Sequence, residues 1–372
     1  MSAAPPPVLR VEGLRRMRQE EQAAIDGVDL QISPGEAFCL LGQSGSGART
    51  MLHALGGLVQ VDEGRIELDG EDITAAPAHR RQLNTVFRSN ALFPHLSVAG
   101  NIRFGLQREG LGKAQMRERL DEMLALLQLE AQATLKPQAL TSEQQRRVAL
   151  ARCLAKRPRL LLLEEPLGGL DQQQRVDMQL VLLRMRATLD LTFVIATRDW
   201  EEAITMATRV GVMRSGRLEQ VGSPREIYDT PRNRFVAGQV GITNAFDGEV
   251  TGQRDSGFLT VRVEGMGDDL QVSGAAPLAP GTKVTVMVRP ERLRFLTLKD
   301  RVDESFVSNA FEAEVTQRIF RGERFSYVVS FGGRTLQVSI PHGFLDEGAP
   351  SPEVGERVRL AFTPPAAWVL SE

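Results

Sequence analysis

Cysteine is almost absent: Cys39 and Cys153 are the only two in 372 residues. Two thiols in apolar surroundings exclude a disulfide-stapled scaffold and read as buried thiols of a reducing compartment. No apolar run approaches the ~20 residues that a membrane-crossing helix requires. The opening residues, Met1 to Pro7, have neither a charged region nor an apolar core, so no secretory signal is expected there. A formal net charge of -2 excludes a general nucleic-acid binder. Lysine is scarce and arginine plentiful, as codon bias would produce. The expectation is a cytoplasmic protein that can sit peripherally on the inner face of a membrane through a partner. Its length allows two or more domains, each with its own core.

The most telling absence is a single lysine. The stretch Gly42-Gln43-Ser44-Gly45-Ser46-Gly47-Ala48-Arg49-Thr50 has the glycine frame of G-x-x-x-x-G-K-[ST], with Gly42 and Gly47 in place. Ala48 stands where the lysine belongs, and Arg49 where a magnesium-binding hydroxyl belongs. An apolar run, Ala37 to Leu41, precedes the loop and reads as a buried strand. Met51 to Leu55 follows and reads as a helix ending near Gly56-Gly57. Strand, glycine loop and helix start together make a phosphate cradle. Backbone N–H groups and the helix N-terminus favour an anion without any lysine. The alternative, a glycine-rich turn with no ligand, is disfavoured by the rest of the chain.

Strand-like and helix-like segments alternate through the first 238 residues, which predicts an α/β layer fold. Arg159 to Glu164, Leu191 to Ile195 and Val210 to Met213 read as strands, and Arg214-Ser215-Gly216-Arg217 as a hairpin turn. Residues 90–155 are helix-rich; Leu120, Met123, Leu124 and Leu127 fall on one helical face and read as core. After residue 238 short alternating runs dominate, such as 258–263, 283–288 and 325–330. They predict a small all-β domain of barrel type. The expected domains are 8–238, with its helical subdomain at about 90–155, and 239–372.

These blocks resemble the nucleotide-binding subunits of ATP-binding-cassette importers over nearly the whole chain. The likeness rests on the glycine loop, Asn84 to Phe87 with Ala91 to His95, Leu140 to Arg152, Leu160 to Asp171, Val194 to Ala203 and Glu219 to Tyr228. Within that family, Asn84 to His95 and Phe235 to Gly238 are most similar to the spermidine/putrescine subgroup. The resemblance implies a P-loop cassette followed by a TOBE/OB-like domain, with ATP as ligand. It also implies a second cassette paired head to tail, as homodimer or heterodimer. Permease subunits would be contacted near Ala91 to Ser97, and a periplasmic solute-binding protein indirectly.

Carried over residue by residue, the resemblance shows substituted chemistry. Ala48 cannot contact the β- and γ-phosphates; a lost hydrogen bond to a charged group costs about 1.5–3 kcal/mol, ~10- to 100-fold in affinity. Arg49 cannot ligate a cation but could pair with phosphate. Arg88 stands at the position of the glutamine that senses magnesium and water, and Arg198 at the switch histidine. Glu165 keeps the water-polarising position. Glu164 replaces the magnesium-linked aspartate, so any magnesium is expected to be held weakly. The signature turn is Thr141-Ser142-Glu143-Gln144, in which Glu143 either repels the opposite γ-phosphate or serves as a first-turn helix acid. Asp171 closes an intact D-loop that begins at Leu167. The adenine-stacking position falls near Met17-Arg18. The expectation is retained folding and docking with weak or absent hydrolysis. Three alternatives stay open: a non-hydrolysing regulatory or structural cassette, a metal-independent arginine cluster made by Arg49, Arg88 and Arg198, and a decaying duplicate.

Overall fold

The computed structural model describes residues 5–17, 23–107, 110–254, 257–266, 268–296, 309–343 and 351–370. The chain divides into two compact units, Met1–Arg225 and Glu226–Glu372.

The first unit contains two sheets. An antiparallel sheet is built from β1 (Leu9–Met17), β2 (Ala23–Ile32), β4 (Glu63–Leu68) and β5 (Glu71–Asp72), in the order β2-β1-β4-β5. The second sheet uses β3 (Ala37–Leu41), β6 (Leu83–Val86), β7 (Leu160–Glu164), β8 (Thr192–Thr197), β9 (Arg209–Arg214) and β10 (Arg217–Gly222). Its order is β10-β9-β3-β8-β7-β6, parallel except for the β9–β10 hairpin. Every residue of β3, β7 and β8 is buried. A parallel sheet covered on both faces demands continuous apolar runs, which is why these strands were legible.

Helix α1 (Ala48–Leu55) runs out of β3 and packs its Met51, Leu52, Ala54 and Leu55 into the core shared with β1, β2, β7 and β8. Burying each of the Met51, Leu52 and Leu55 side chains stabilises the fold by ~1.5–3 kcal/mol. Helices α2 (Val98–Leu106), α3 (Lys113–Leu126) and α4 (Ser142–Leu154) form the helical part, where Leu120, Met123, Leu124 and Leu127 are all buried. Helix α5 (Gln172–Leu189) leads to β8, and α6 (Trp200–Met206) leads to β9. None of the described helices is long and apolar enough to cross a membrane. Cys39 and Cys153 are both buried and unpaired. Burial pushes the Cys153 thiol up to about 11 and Cys39 well above its ordinary value.

Helix α7 (Pro224–Asp229) runs across the division, and in the second unit α8 (Arg234–Gln239) precedes two five-stranded antiparallel sheets. One joins β11 (Asn244–Gln253), β12 (Leu259–Val263), β13 (Leu270–Val272), β14 (Lys283–Val288) and β20 (Ala367–Leu370). The other joins β15 (Arg294–Phe295), β16 (Ala310–Phe320), β17 (Arg324–Phe331), β18 (Arg334–Pro341) and β19 (Arg357–Ala361). One apolar core, including Phe246, Val286, Phe311, Tyr327 and Phe362, lies between them. Strand β14 departs from the expected alternation and is buried from Val284 to Val288. Its outward residue Met287 packs with Ala237 of α8 and Leu370, so the second face is covered too.

Two asparagines tie the sheets together. Asn244 pairs through its amide with both backbone groups of Gln337, at 2.8 Å each. Asn309 does the same with Gln271, at 2.7 and 2.8 Å. Both amides are buried, and each takes the place of a neighbouring strand's peptide group.

Candidate functional site

The carboxyl ends of the parallel strands β3, β7 and β8 converge on one cavity of about 260 Å³. It is lined by Gly42 to Thr50, Arg88, Glu164, Glu165, Ala196, Thr197 and Arg198. The strand ends of such sheets leave an open crevice where loops present backbone amides. Here the loop 42–47 fills that place and hands over to α1.

The loop has room only for glycine where it turns. Gly47 caps α1 with φ 101°, and a Cβ there would collide with the Ala24 carbonyl. A Cβ on Gly42 would collide with the Ser46 side chain. Gly45 also has a positive φ, of 88°, and faces open space. The loop is anchored by Gly42 N–H to Thr197 O at 3.1 Å, Ser46 N–H to Gln43 O at 3.0 Å and Gly216 N–H to Ser46 O at 2.8 Å. Ala48 N–H leans on Ser46 Oγ at 3.4 Å; the Arg49 and Thr50 amides of the first turn have no partner four residues back and remain donors toward an anion. Ala48 is buried in the core, and Arg49 is exposed. These features fit a phosphate chain.

Charged side chains crowd the same cavity. Arg49 Nε lies 2.7 Å from Glu164 Oε1, and His53 Nε2 lies 3.3 Å from the other oxygen, Oε2. The Glu164 carboxylate is nearly sealed, with 5% of its side chain exposed. Glu165 is held in a positive-φ conformation of 40° and is gripped from two sides. Arg88 Nη1 is 3.2 Å from its Oε2, and Arg198 Nε is 3.2 Å from its Oε1. Arg198 Nη1 also reaches Ser44 Oγ at 3.4 Å, which links the end of β8 to the loop.

A divalent cation needs several free oxygens. Both oxygens of Glu164 are engaged. Arg49, which carries no ligating oxygen, lies against that carboxylate. The donor set does not fit magnesium.

The other expected residues lie away from this cavity. Thr141 caps α4, accepting from Gln144 N at 3.2 Å, while Gln144 Oε1 accepts from Thr141 N at 3.0 Å. This reciprocal box takes the Thr141 hydroxyl. Ser142 follows at the first helical position. Glu143 turns along the helix to Arg147, with its Oε1 2.9 Å from Nε and 2.5 Å from Nη2. Asp171 caps α5, accepting from Gln174 N at 2.9 Å. Met17 ends β1 and is exposed; Arg18 lies outside the described residues. In the segment 91–97, Arg152 donates to Ala91 O at 2.7 Å and to Asn90 O at 3.1 Å, and sits over the Phe93 ring. The Asn101 amide closes the same turn, accepting from Phe93 N at 2.8 Å.

Three further residues shape the cavity from behind. Arg146, buried on α4, donates to the carbonyls of Arg88, Gly168 and Glu165 at 3.1, 3.2 and 3.4 Å. It holds the segment after β6 and the turn 165–168 after β7 at once, and its burial lowers its pKa. Glu202 accepts from Leu167 N at 2.9 Å and from the Thr197 hydroxyl. Burial pushes its carboxyl up to about 7. His53 completes the pairing of Glu164. The one sequence sign of Arg146 is a charge on the buried face of α4, beside Val148 to Ala151.

Comparison with known proteins agrees with this geometry. The ABC transporter family matches residues 25–168, and the TOBE domain family matches residues 286–370. The chain is 41% identical over 334 residues to the spermidine/putrescine import ATP-binding protein PotA of Escherichia coli K12, covering 90% of this chain and 86% of that protein. The same figures hold for PotA of Shigella dysenteriae serotype 1. Among solved structures it is similar to cbiO1 of Clostridium perfringens, part of the ABC transporter complex cbiONQ. That match has a TM-score of 0.56 and 29% identity, and covers 60% of this chain and 91% of that one. It is also similar to the ATP-binding cassette MJ0796 in a dimeric post-hydrolysis state, with a TM-score of 0.52 and 28% identity, covering 58% and 99%.

Proposed function

The chain belongs to the ABC transporter family of ATP-binding subunits, and from that premise we propose that it serves a polyamine-type importer as a subunit that binds ATP and turns it over slowly or not at all. The relatives named for spermidine/putrescine import support the solute class. The pairing of Glu165 with both Arg88 and Arg198 carries the claim about turnover.

When bound, ATP supplies the phosphoanhydride bond whose cleavage powers the family. The residues of this chain hold and orient the phosphates. Amides of the loop 43–50 face the anion, and Arg49, Arg88 and Arg198 surround it with positive charge. Hydrolysis needs a carboxylate that can polarise and accept a proton from water. Both oxygens of Glu165 face guanidinium groups, so accepting that proton requires the release of an arginine first. The α4 cap from Thr141 to Gln144 and the D-loop acid Asp171 would face the second cassette, whether an identical copy or a different one. The turn 91–97, braced by Arg152 and Asn101, would receive the permease, with the solute-binding protein acting from the other side of the membrane.

Phosphate release tests this reading, measured on the subunit assembled with its permease and stimulated by a solute-loaded binding protein. Turnover below about 0.01 per second is expected, against roughly 1–10³ per second for ordinary enzymes. Stimulated turnover of about 1 per second or more rejects slow hydrolysis. Failure to assemble with any permease rejects the importer role.

A second reading, a non-hydrolysing regulatory or structural cassette that pairs with the permease or an active paralogue, is favoured by one observation. The phosphate loop and the signature turn are altered in the same chain, so each composite site of any pair would inherit a defect from it. Co-purification with a second, intact cassette would select this reading.

A further inference from the structure

The pairing of Arg49 with Glu164 explains more than the loss of a metal ligand. Resting on the nucleotide-binding reading above, we infer that the Arg49 guanidinium is a built-in replacement for the divalent cation, and that this cassette binds the nucleoside triphosphate free of metal.

Charge balance is the first argument. In the family arrangement that the chain resembles, one lysine and one divalent cation bring three positive charges, against two carboxylates. Here Arg49, Arg88 and Arg198 bring three positive charges to the same cavity, against Glu164 and Glu165. The total is unchanged, but every positive charge is now covalently attached to the chain. A triphosphate therefore meets the field that its metal complex would otherwise require.

Geometry is the second argument. Glu164, the acid that would anchor a metal, is nearly sealed and has Arg49 on one oxygen and His53 on the other. A metal arriving with ATP would have to displace a guanidinium and then stay beside it, like charge against like charge. Magnesium also gives up its water reluctantly. Arg49 contacts Glu164 through Nε, at one edge of a planar group with five donors, lines the cavity and has 72% of its side chain exposed. Its remaining donors can meet phosphate oxygens without giving up the carboxylate. Arg198 is placed similarly, with Nη1 already over the loop at Ser44.

Calorimetric titration of the purified full-length protein with ATP, once in EDTA and once in excess magnesium chloride, tests the inference. The expected dissociation constant in EDTA is equal to or lower than that in magnesium, within about threefold. For Arg49→Thr, a change at an exposed side chain that leaves Glu164 with His53 alone, binding in EDTA should weaken by about tenfold or more and magnesium should restore it. Electron paramagnetic resonance of manganese-ATP gives a direct reading of the metal. The spectrum should broaden on Arg49→Thr and stay that of free manganese-ATP with the wild-type chain. Wild-type binding that is at least tenfold tighter with magnesium overturns the inference and leaves the nucleotide-binding reading standing. Absence of binding in both buffers overturns that reading, and the inference with it.

Discussion

Arg88 and Arg198, which come from different strand ends, meet on the single carboxylate of Glu165, at 3.2 Å to Oε2 and 3.2 Å to Oε1. Each pair is partly solvent-exposed, and one such pair alone is worth only ~0–1 kcal/mol. Its importance is chemical. The acid proposed above to activate water is held as one member of a three-residue ionic cluster.

Replacing both arginines should release that acid. Arg88→Gln with Arg198→His is expected to raise phosphate release by about tenfold or more over the wild type, because a freed carboxylate regains general-base capacity worth ~10²–10⁴. Each single change should give less, since one arginine still holds Glu165. Unchanged turnover in the double variant would show that the cluster does not limit hydrolysis.

Arg146 holds three carbonyls from two segments, Arg88 after β6 and the turn Glu165 to Gly168 after β7. Its truncation in Arg146→Ala takes the side-chain donor from the part-buried carbonyls of Arg88 and Gly168, while Glu165 O keeps the Gly168 N–H at 2.9 Å, and a loss of about 1–3 kcal/mol in urea unfolding is expected. Arg146→Lys should recover only part of this, because one ammonium cannot span the same three oxygens. A loss under about 0.5 kcal/mol would mean that water replaces the guanidinium.

Glu202 gives a pH signature whose sign follows from its raised pKa of about 7, against an ordinary 4.5. Below about 4.5 both folded and unfolded chains carry the proton, and the group is neutral in its effect. Between about 4.5 and 7 the unfolded chain ionises while the folded chain does not, so stability falls as pH rises. Above about 7 the full penalty, of order 3 kcal/mol, is present. Glu202→Gln lacks this slope. The difference in unfolding free energy between variant and wild type should therefore grow in the variant's favour from about pH 5 to about pH 8. A difference that stays flat across that range would place the carboxyl pKa near its ordinary value.

The turn at Gly47 admits no side chain. Gly47→Ala combines a φ of 101° with a collision against the Ala24 carbonyl. A cost of about 1–3 kcal/mol in stability is expected, together with weaker ATP binding by the displaced loop. Thermal unfolding and titration of the same sample check both effects.

The fold was readable where burial is uniform. Leu160 to Glu164 and Ala37 to Leu41 are apolar because both faces of their sheet are covered, and that leaves an unbroken run in the sequence. The loop 42–50 was readable because its glycines answer a local backbone demand. The ionic pairing was not readable, because Arg49 and Glu164, or Arg88 and Arg198, meet only after distant strand ends come together. Glu143 lies between these cases. Its bond to Arg147 follows helical i, i+4 spacing and was present in the sequence as a signal, whereas what it does to a phosphate depends on a second chain. The flattened alternation of β14 reflects α8 over its outer face, which no periodicity within the strand announces.

Asn244 and Asn309 cross-stitch the β unit, each completing the peptide pairing of a strand in the opposite sheet. Neither sheet can open at those places without leaving a bare backbone donor and acceptor on the other. The two layers therefore share one melting event, and the amide protons of Gln271 and Gln337 should exchange with solvent at the rate set by global opening of that unit.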